Sequence, residues 1–168
     1  LLDHLGIERV DLVGASMGGM IARLVAIHHP NRLRTLTSIM SSNGYKNLPR
    51  AEKHISEYML KRPESSEYKD KLAFHIGKWR VIESPAFPAS DEYLQEYVDS
   101  MLQRGIKAKG TIRQMLAIMA AKSREKALTK LDVPTLVIHG DSDGLVSVEG
   151  GKETAKCIPN AKLKIYAG

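Results

Sequence analysis

The sequence has 168 residues, 43% hydrophobic and 26% charged, which is the balance of a folded domain and excludes a disordered chain. The longest nearly apolar run, residues 115–121, is too short to span a bilayer, and the single cysteine excludes an internal disulfide and a cysteine-based zinc site. The net charge is +6, but basic and acidic residues are interleaved, so we expect neither a nucleic-acid partner nor a membrane partner.

The first part of the chain predicts a strand, a sharp turn, a helix and a second strand. Residues 1–5 have the pattern of a helix end that Gly6 stops, and residues 7–13 that of a strand. The helix is predicted over residues 17–29 and the second strand over residues 33–39. This order within about 35 residues is typical of a right-handed parallel β–α–β unit.

The middle of the chain predicts helices alone. Charged helical patterns broken by prolines fill residues 43–126, which read as an insertion between two strands. The candidate helices cover residues 56–61, 68–79, 91–103 and 111–122.

The alternating pattern resumes in the last part of the chain. A buried strand is predicted over residues 134–140, a helix over 148–157 and a last strand over 163–166. We therefore predict an α/β fold with a parallel sheet, in which residues 1–42 and 127–168 form the core around a helical lid of residues 43–126.

The sharpest chemical pattern is the turn after the first strand, which reads G-x-S-x-G. Gly14 and Gly18 flank Ser16 at two residues' distance, and Gly19 follows. On a tight strand-to-helix turn the flanking positions crowd each other, so glycine fits there, and the turn exposes the serine hydroxyl. The backbone N–H of Met17 then lies at a helix N-terminus, where it can stabilise an oxyanion. The alternatives are a glycine-rich turn with a bystander serine and, less favoured, a phosphate-binding loop.

Two aspartates compete for the role of an acid at the end of the strand 134–140. Asp143 lies further into the loop and can turn toward a histidine, whereas Asp141 is well placed to bond its own turn backbone. We favour Asp143. A serine nucleophile also needs a base, and none of the six histidines follows Asp143. His139, at the strand end, is interpreted as structural.

With these residues in hand, the chain resembles the α/β-hydrolase family, and within it the aclacinomycin methylesterase-like serine esterases. The resemblance covers the elbow region 1–42 and the acid-loop region 133–168, and it includes three shorter stretches. These are the SIMSSNG stretch after the second strand, the pair Arg113 and Gln114, and the run 148–151.

The resemblance implies a Ser-Asp-His triad in which Ser16 is the nucleophile, Asp143 the acid and Met17 an oxyanion-hole donor. By the same resemblance the catalytic histidine falls about three residues beyond Gly168, and an oxyanion loop precedes the elbow. We therefore expect the chain to be a piece of a longer enzyme and to be inactive by itself.

The expected function is hydrolysis of a small-molecule carboxylic ester or amide in the cytoplasm, with no metal and no organic cofactor implied. The same residues also serve a proline-type aminopeptidase, a thioesterase or a cofactor-free haloperoxidase. A dehalogenase or epoxide hydrolase is disfavoured, because those relatives have aspartate where Ser16 stands. A non-catalytic ligand-binding protein is the alternative of another class, and the oligomeric state stays open.

Overall fold

The computed structural model describes residues 1–168, apart from the side chain of Ala108. The chain forms two compact units: Leu1–Arg50 with Lys122–Ala167, here called the α/β unit, and Ala51–Ala121 with Gly168, here called the helical unit. In chain order the elements are β1 (Val10–Ala15), α1 (Met17–His28), a 3₁₀ turn (Pro30–Arg32), β2 (Leu33–Ile39), α2 (Lys53–Leu60), α3 (Tyr68–Ile82), α4 (Asp91–Arg104), α5 (Ala108–Ala120), α6 (Glu125–Leu128), β3 (Thr135–Gly140), α7 (Val148–Cys157) and β4 (Lys162–Tyr166).

The α/β unit is built on a four-stranded sheet in which every neighbouring pair of strands is parallel, in the order β1-β2-β3-β4. This confirms the predicted α/β class. The bounds of β2 and α7 match the predicted residues.

The start of β1 and the first five residues differ from the prediction. Residues 7–9 are not part of the strand, because Arg32 and Arg34 donate side-chain hydrogen bonds to the carbonyls of Ile7, Glu8 and Arg9. Residues 2–6 form a turn instead of a helix end, although Gly6 has the expected positive φ of 64°. The short helix α6 was missed, since four residues are too few to show a helical period.

The core of the α/β unit lies between α1, the sheet and α6. It is formed by small and branched apolar side chains that are at most 5% exposed. They are Ala22, Ala26, Leu33, Leu36, Leu128, Leu131, Val133 and Ile158. Burying this apolar surface stabilises the packing of α1 on the sheet. Helix α1 begins directly after Ser16, in the G-x-S-x-G turn.

The helical unit contains α2 to α5, and it has no strand among its described residues. Its buried side chains are Ile55, Leu94 and Val98. Aromatic side chains also contact one another within the unit: Trp79 meets Tyr97 edge to face, with ring centroids 5.2 Å apart. That these helices form a lid stays a prediction. Across the described part of the chain, none of the helices has both the length and the apolar character that a bilayer crossing requires.

Candidate active site

Ser16 occupies a strained position between β1 and α1. Its backbone has φ 52° and ψ −121°, a region that residues with side chains rarely adopt. The residue is half-buried, and its hydroxyl makes no hydrogen bond to any described residue and does not cap the helix. A strained serine with an unengaged hydroxyl is what a nucleophile on a sharp turn requires.

The glycines around Ser16 differ in what they allow. A Cβ atom on Gly14 would lie 2.2 Å from the carbonyl oxygen of Gly18, and one on Gly19 would lie 2.7 Å from the Cβ atom of Ser41. Both positions therefore require glycine, as predicted. The expectation for Gly18 is wrong in its steric part, because a Cβ atom there would meet nothing within 4 Å. A side chain at position 14 would therefore collide with residue 18, whereas a side chain at position 18 would not collide with residue 14.

The backbone N–H of Met17 lies at the first position of α1 and has no acceptor among the described residues. The first N–H groups of a helix have no partner within the helix, and the helix dipole makes this end favourable for negative charge. The group thus meets the requirement for an oxyanion-hole donor.

A buried arginine lies behind the turn, and the sequence reasoning missed it. Arg23 of α1 is fully buried and donates hydrogen bonds to the hydroxyls of Ser38, at 2.5 Å, and Ser41, at 3.0 Å. A third hydrogen bond goes to the carbonyl of Ser42. Burial, with a smaller contribution from the nearby charge of Arg124, lowers the pKa of Arg23 to about 10, so Arg23 stays cationic at neutral pH.

The signal for this burial is present in the sequence. Arg23 follows Gly19 by four residues and precedes Ala26 by three, so all three lie on one face of the helix. Gly19 and Ala26 are both buried.

Asp143 is held in the loop after β3 by two backbone donors and by a contact with His139. Its Oδ1 accepts hydrogen bonds from the backbone N–H groups of Leu145, at 3.0 Å, and Val146, at 2.8 Å. Its Oδ2 lies 3.3 Å from Nε2 of His139. Partial burial alone would raise the pKa of Asp143, but the hydrogen bonds from His139 and from the two N–H groups outweigh it, so the pKa lies below its usual value. Asp143 is therefore ionised at neutral pH.

Asp143 bonds the backbone of its own turn, a role that was expected of Asp141. Asp141 is exposed, and its carboxylate accepts a hydrogen bond from the hydroxyl of Ser142. The preference for Asp143 as the acid stays a prediction.

His139 is a structural residue of the acid loop, as interpreted from the sequence. Its side chain is fully buried, and Nε2 lies 2.7 Å from the carbonyl oxygen of Val146. Since a carbonyl only accepts, Nε2 carries the proton. The other ring nitrogen is buried without a hydrogen-bond partner in the described structure, and it lies 2.6 Å from where a Cβ atom on Gly151 would be. His139 is thus not available as a base for Ser16.

The sheet brings the two predicted residues to one edge. The carboxyl ends of parallel strands lie on the same side, and here β2 separates the turn after β1 from the loop after β3. The two loops are therefore about two strand spacings, or roughly 10 Å, apart. Among the described residues, no group of three or more histidine, cysteine, aspartate or glutamate side chains is arranged to hold a metal ion.

A cavity of about 770 Å³ lies at the opposite edge of the sheet. Its lining includes Leu33, at the start of β2, and Val133 and Pro134, just before β3. None of the predicted site residues lines it, so it is separate from the chemistry at Ser16.

Comparison with known proteins identifies the fold. The family model of the alpha/beta hydrolase fold matches residues 1–168. The chain is 27% identical over 175 residues to a 2-hydroxy-6-oxononadienedioate/2-hydroxy-6-oxononatrienedioate hydrolase of Cupriavidus pinatubonensis, covering 99% of the chain and 57% of the relative. It is 29% identical over 185 residues to a non-heme chloroperoxidase of Kitasatospora aureofaciens, covering 100% of the chain and 62% of that protein.

A solved structure gives the same picture. The bromoperoxidase of Bacillus anthracis superposes with a TM-score of 0.71 and 28% identity, over 99% of this chain and 62% of that one. The chain thus spans about three fifths of the length of the proteins it matches.

Proposed function

This chain is a member of the α/β-hydrolase fold family, and on that basis we propose that the native protein is a serine hydrolase that cleaves carboxylic esters with Ser16 as its nucleophile. The observation that carries the proposal is the strained backbone of Ser16, whose hydroxyl is free of hydrogen bonds to the described residues. Strain of this kind is retained where function uses it, since it costs stability.

The proposed reaction has two halves. The Ser16 Oγ attacks the ester carbonyl and loses its proton to a histidine base, and the negative charge on the carbonyl oxygen is stabilised by the N–H of Met17. The alcohol leaves with that proton, and water then cleaves the acyl-serine bond. Asp143, ionised in the acid loop, orients the histidine and stabilises its charged form.

The family resemblance assigns the base to none of the histidines of this sequence. In this family the histidine follows the acid in chain order, and none of the six histidines follows Asp143. His139 is engaged in the acid loop. We therefore expect the 168-residue chain alone to show no ester turnover.

Ester cleavage is favoured by three stretches that resemble those of methylesterase-like enzymes: the SIMSSNG stretch, Arg113 with Gln114, and residues 148–151. A cofactor-free haloperoxidase is the second candidate. It is favoured by the similarity to a chloroperoxidase and a bromoperoxidase, at 29% and 28% identity.

The test is a substrate panel on the complete product of the gene. The panel contains p-nitrophenyl acyl esters, amino-acid amides, 2-hydroxy-6-oxononadienedioate, and bromide with hydrogen peroxide. We expect ester hydrolysis, lowered about 10⁴-fold or more in kcat/KM by Ser16→Ala. Ser100→Ala, at an exposed serine of α4, is the matched control and should leave turnover unchanged.

Ester turnover that survives Ser16→Ala contradicts the proposed nucleophile. Turnover of another panel member alone, abolished by Ser16→Ala, retains the nucleophile and replaces the substrate class.

A further inference from the structure

The buried arginine behind the turn is connected to Ser16 by a chain of hydrogen bonds. The Ser41 hydroxyl accepts from Arg23 at 3.0 Å and donates to the backbone carbonyl of Ser16 at 2.7 Å. A hydroxyl has one proton and two lone pairs, so it can do both at once. The Ser41 side chain also explains why residue 19 is glycine, because any side chain at position 19 would collide with Ser41.

The charge of Arg23 is unusual for its location. Its hydrogen bonds go to hydroxyl and carbonyl oxygens, and it has no carboxylate partner among the described residues. A buried cation without a counter-charge costs stability, and its nitrogen Nε also lacks a partner in the described structure. Helix α1 therefore keeps a buried cation, Arg23, directly behind the proposed nucleophile, at a cost in stability.

The carbonyl that receives this chain belongs to the same peptide group as the proposed oxyanion donor. The Ser16 C=O and the Met17 N–H share one planar amide, whose resonance couples the two ends. A hydrogen bond to the carbonyl oxygen draws charge toward it and makes the N–H a stronger donor, and a cation at the far end of the chain adds to this polarisation. The N–H itself has no acceptor among the described residues.

We propose that Arg23 and Ser41 are positioning residues that orient and polarise the Ser16–Met17 peptide, so that its N–H binds the oxyanion more strongly. The proposal rests on the proposed function, since it assigns these residues to the same transition state. It explains why a serine follows the strained Met40, whose φ is 40°, at the end of β2. That turn brings the Ser41 hydroxyl to the Ser16 carbonyl.

Two single substitutions separate this role from ordinary packing. Ser41→Ala removes the link to Ser16, while the Ser16 carbonyl keeps its hydrogen bonds from Gly19, at 3.0 Å, and Met20, at 3.3 Å. Ser38→Ala is the matched control, because Ser38 is equally buried and also accepts from Arg23 but has no hydrogen bond to Ser16. Each variant deletes one hydroxyl and one acceptor of Arg23.

In the native protein we expect Ser41→Ala to lower kcat about tenfold with KM unchanged, less than the 10²–10³-fold loss typical of removing an oxyanion donor. Ser38→Ala should leave kcat within about twofold of the wild type. Arg23→Lys, which keeps the charge but not the paired donors, should lie between Ser41→Ala and the wild type.

The amide resonance of Met17 gives a readout that does not need turnover. A weaker donor should show an upfield proton shift in Ser41→Ala and an unchanged shift in Ser38→Ala. Equal kcat losses in the two variants, or a Met17 resonance that does not move in Ser41→Ala, would overturn the proposal. Absence of Ser16-dependent turnover in the wild type overturns the proposed function instead, and the Met17 resonance then still tests the polarisation.

Discussion

The turn after β1 and the loop after β3 lie at the same edge of the sheet, yet they are held in different ways. Steric exclusion fixes the first: Gly14 and Gly19 leave no room for a side chain, and Ser16 is strained. The second is fixed by hydrogen bonds that the Asp143 carboxylate accepts and by one that the His139 imidazole donates. Substitutions in the turn should therefore change stability through added side-chain volume. Substitutions in the loop should change it through lost polar groups, and the stability contributed by the loop should depend on pH.

The largest effect is expected from added volume in the turn. Gly14→Ala forces a Cβ atom against the carbonyl of Gly18 and should lower the free energy of unfolding by about 3–5 kcal/mol. Gly18→Ala adds the same methyl group to open space and should change it by at most about 1 kcal/mol, in the stabilising direction. Urea denaturation of both variants measures this, and equal losses would contradict the one-sided crowding.

The next effect concerns the imidazole of the acid loop. His139→Ala leaves a cavity in the core and an unpaired carbonyl on Val146, so we expect a loss of about 2–4 kcal/mol in the free energy of unfolding. His54→Ala, at a side chain that is 70% exposed, is the control and should change it by less than about 0.5 kcal/mol. A stable His139→Ala protein would show that the loop does not depend on this contact.

The acid loop should also be sensitive to pH. Because the pKa of Asp143 is lower in the folded protein than in the unfolded chain, its carboxylate stabilises the fold above the unfolded value, near 4. That stabilisation is lost as the pH falls through the folded pKa. Asp143→Asn should therefore cost about 1–2 kcal/mol at pH 7.

Denaturation at a series of pH values tests this directly. The difference between Asp143→Asn and the wild type should shrink below about pH 4. Asp132→Asn, at an exposed aspartate, serves as the control. A difference that stays constant down to pH 2 would show that the charge of Asp143 is not what holds the loop.

The smallest change in stability is expected from a substitution at the start of α7, directly after the acid loop. The Ser147 hydroxyl caps this helix by accepting a hydrogen bond from the N–H of Glu149, at 3.3 Å. Ser147→Ala should lower the free energy of unfolding by about 1 kcal/mol, whereas Ser142→Ala, at an exposed loop serine, should be neutral. Thermal unfolding resolves this difference, and equal melting temperatures for both variants would exclude the cap as a stabilising contact.

The sequence predicts well those elements whose structure depends on residues that are close in the chain. The G-x-S-x-G pattern, the strand Leu33–Ile39 and the helix Val148–Cys157 each depend on neighbours a few residues away. The parallel order of the strands follows from the alternation of strand and helix.

The contacts that the sequence does not predict join distant residues. Arg23 contacts Ser38 and Ser41, which are 15 and 18 residues away, and a helical arginine is read by default as solvent-exposed. The two backbone N–H groups that bond Asp143 belong to Leu145 and Val146, and the sequence does not show this because an aspartate at either position 141 or 143 favours a turn. The start of β1 depended on arginine side chains that bond the preceding carbonyls.

The central claim is that Ser16 is the nucleophile, and covalent trapping tests it most directly. The complete gene product is treated with a fluorophosphonate and digested, and the modified peptide is identified by mass spectrometry. We predict a single phosphonylated residue, Ser16, with no adduct in Ser16→Ala and an unchanged adduct in Ser100→Ala. An adduct on another serine, or ester hydrolysis without any adduct, would contradict the assignment.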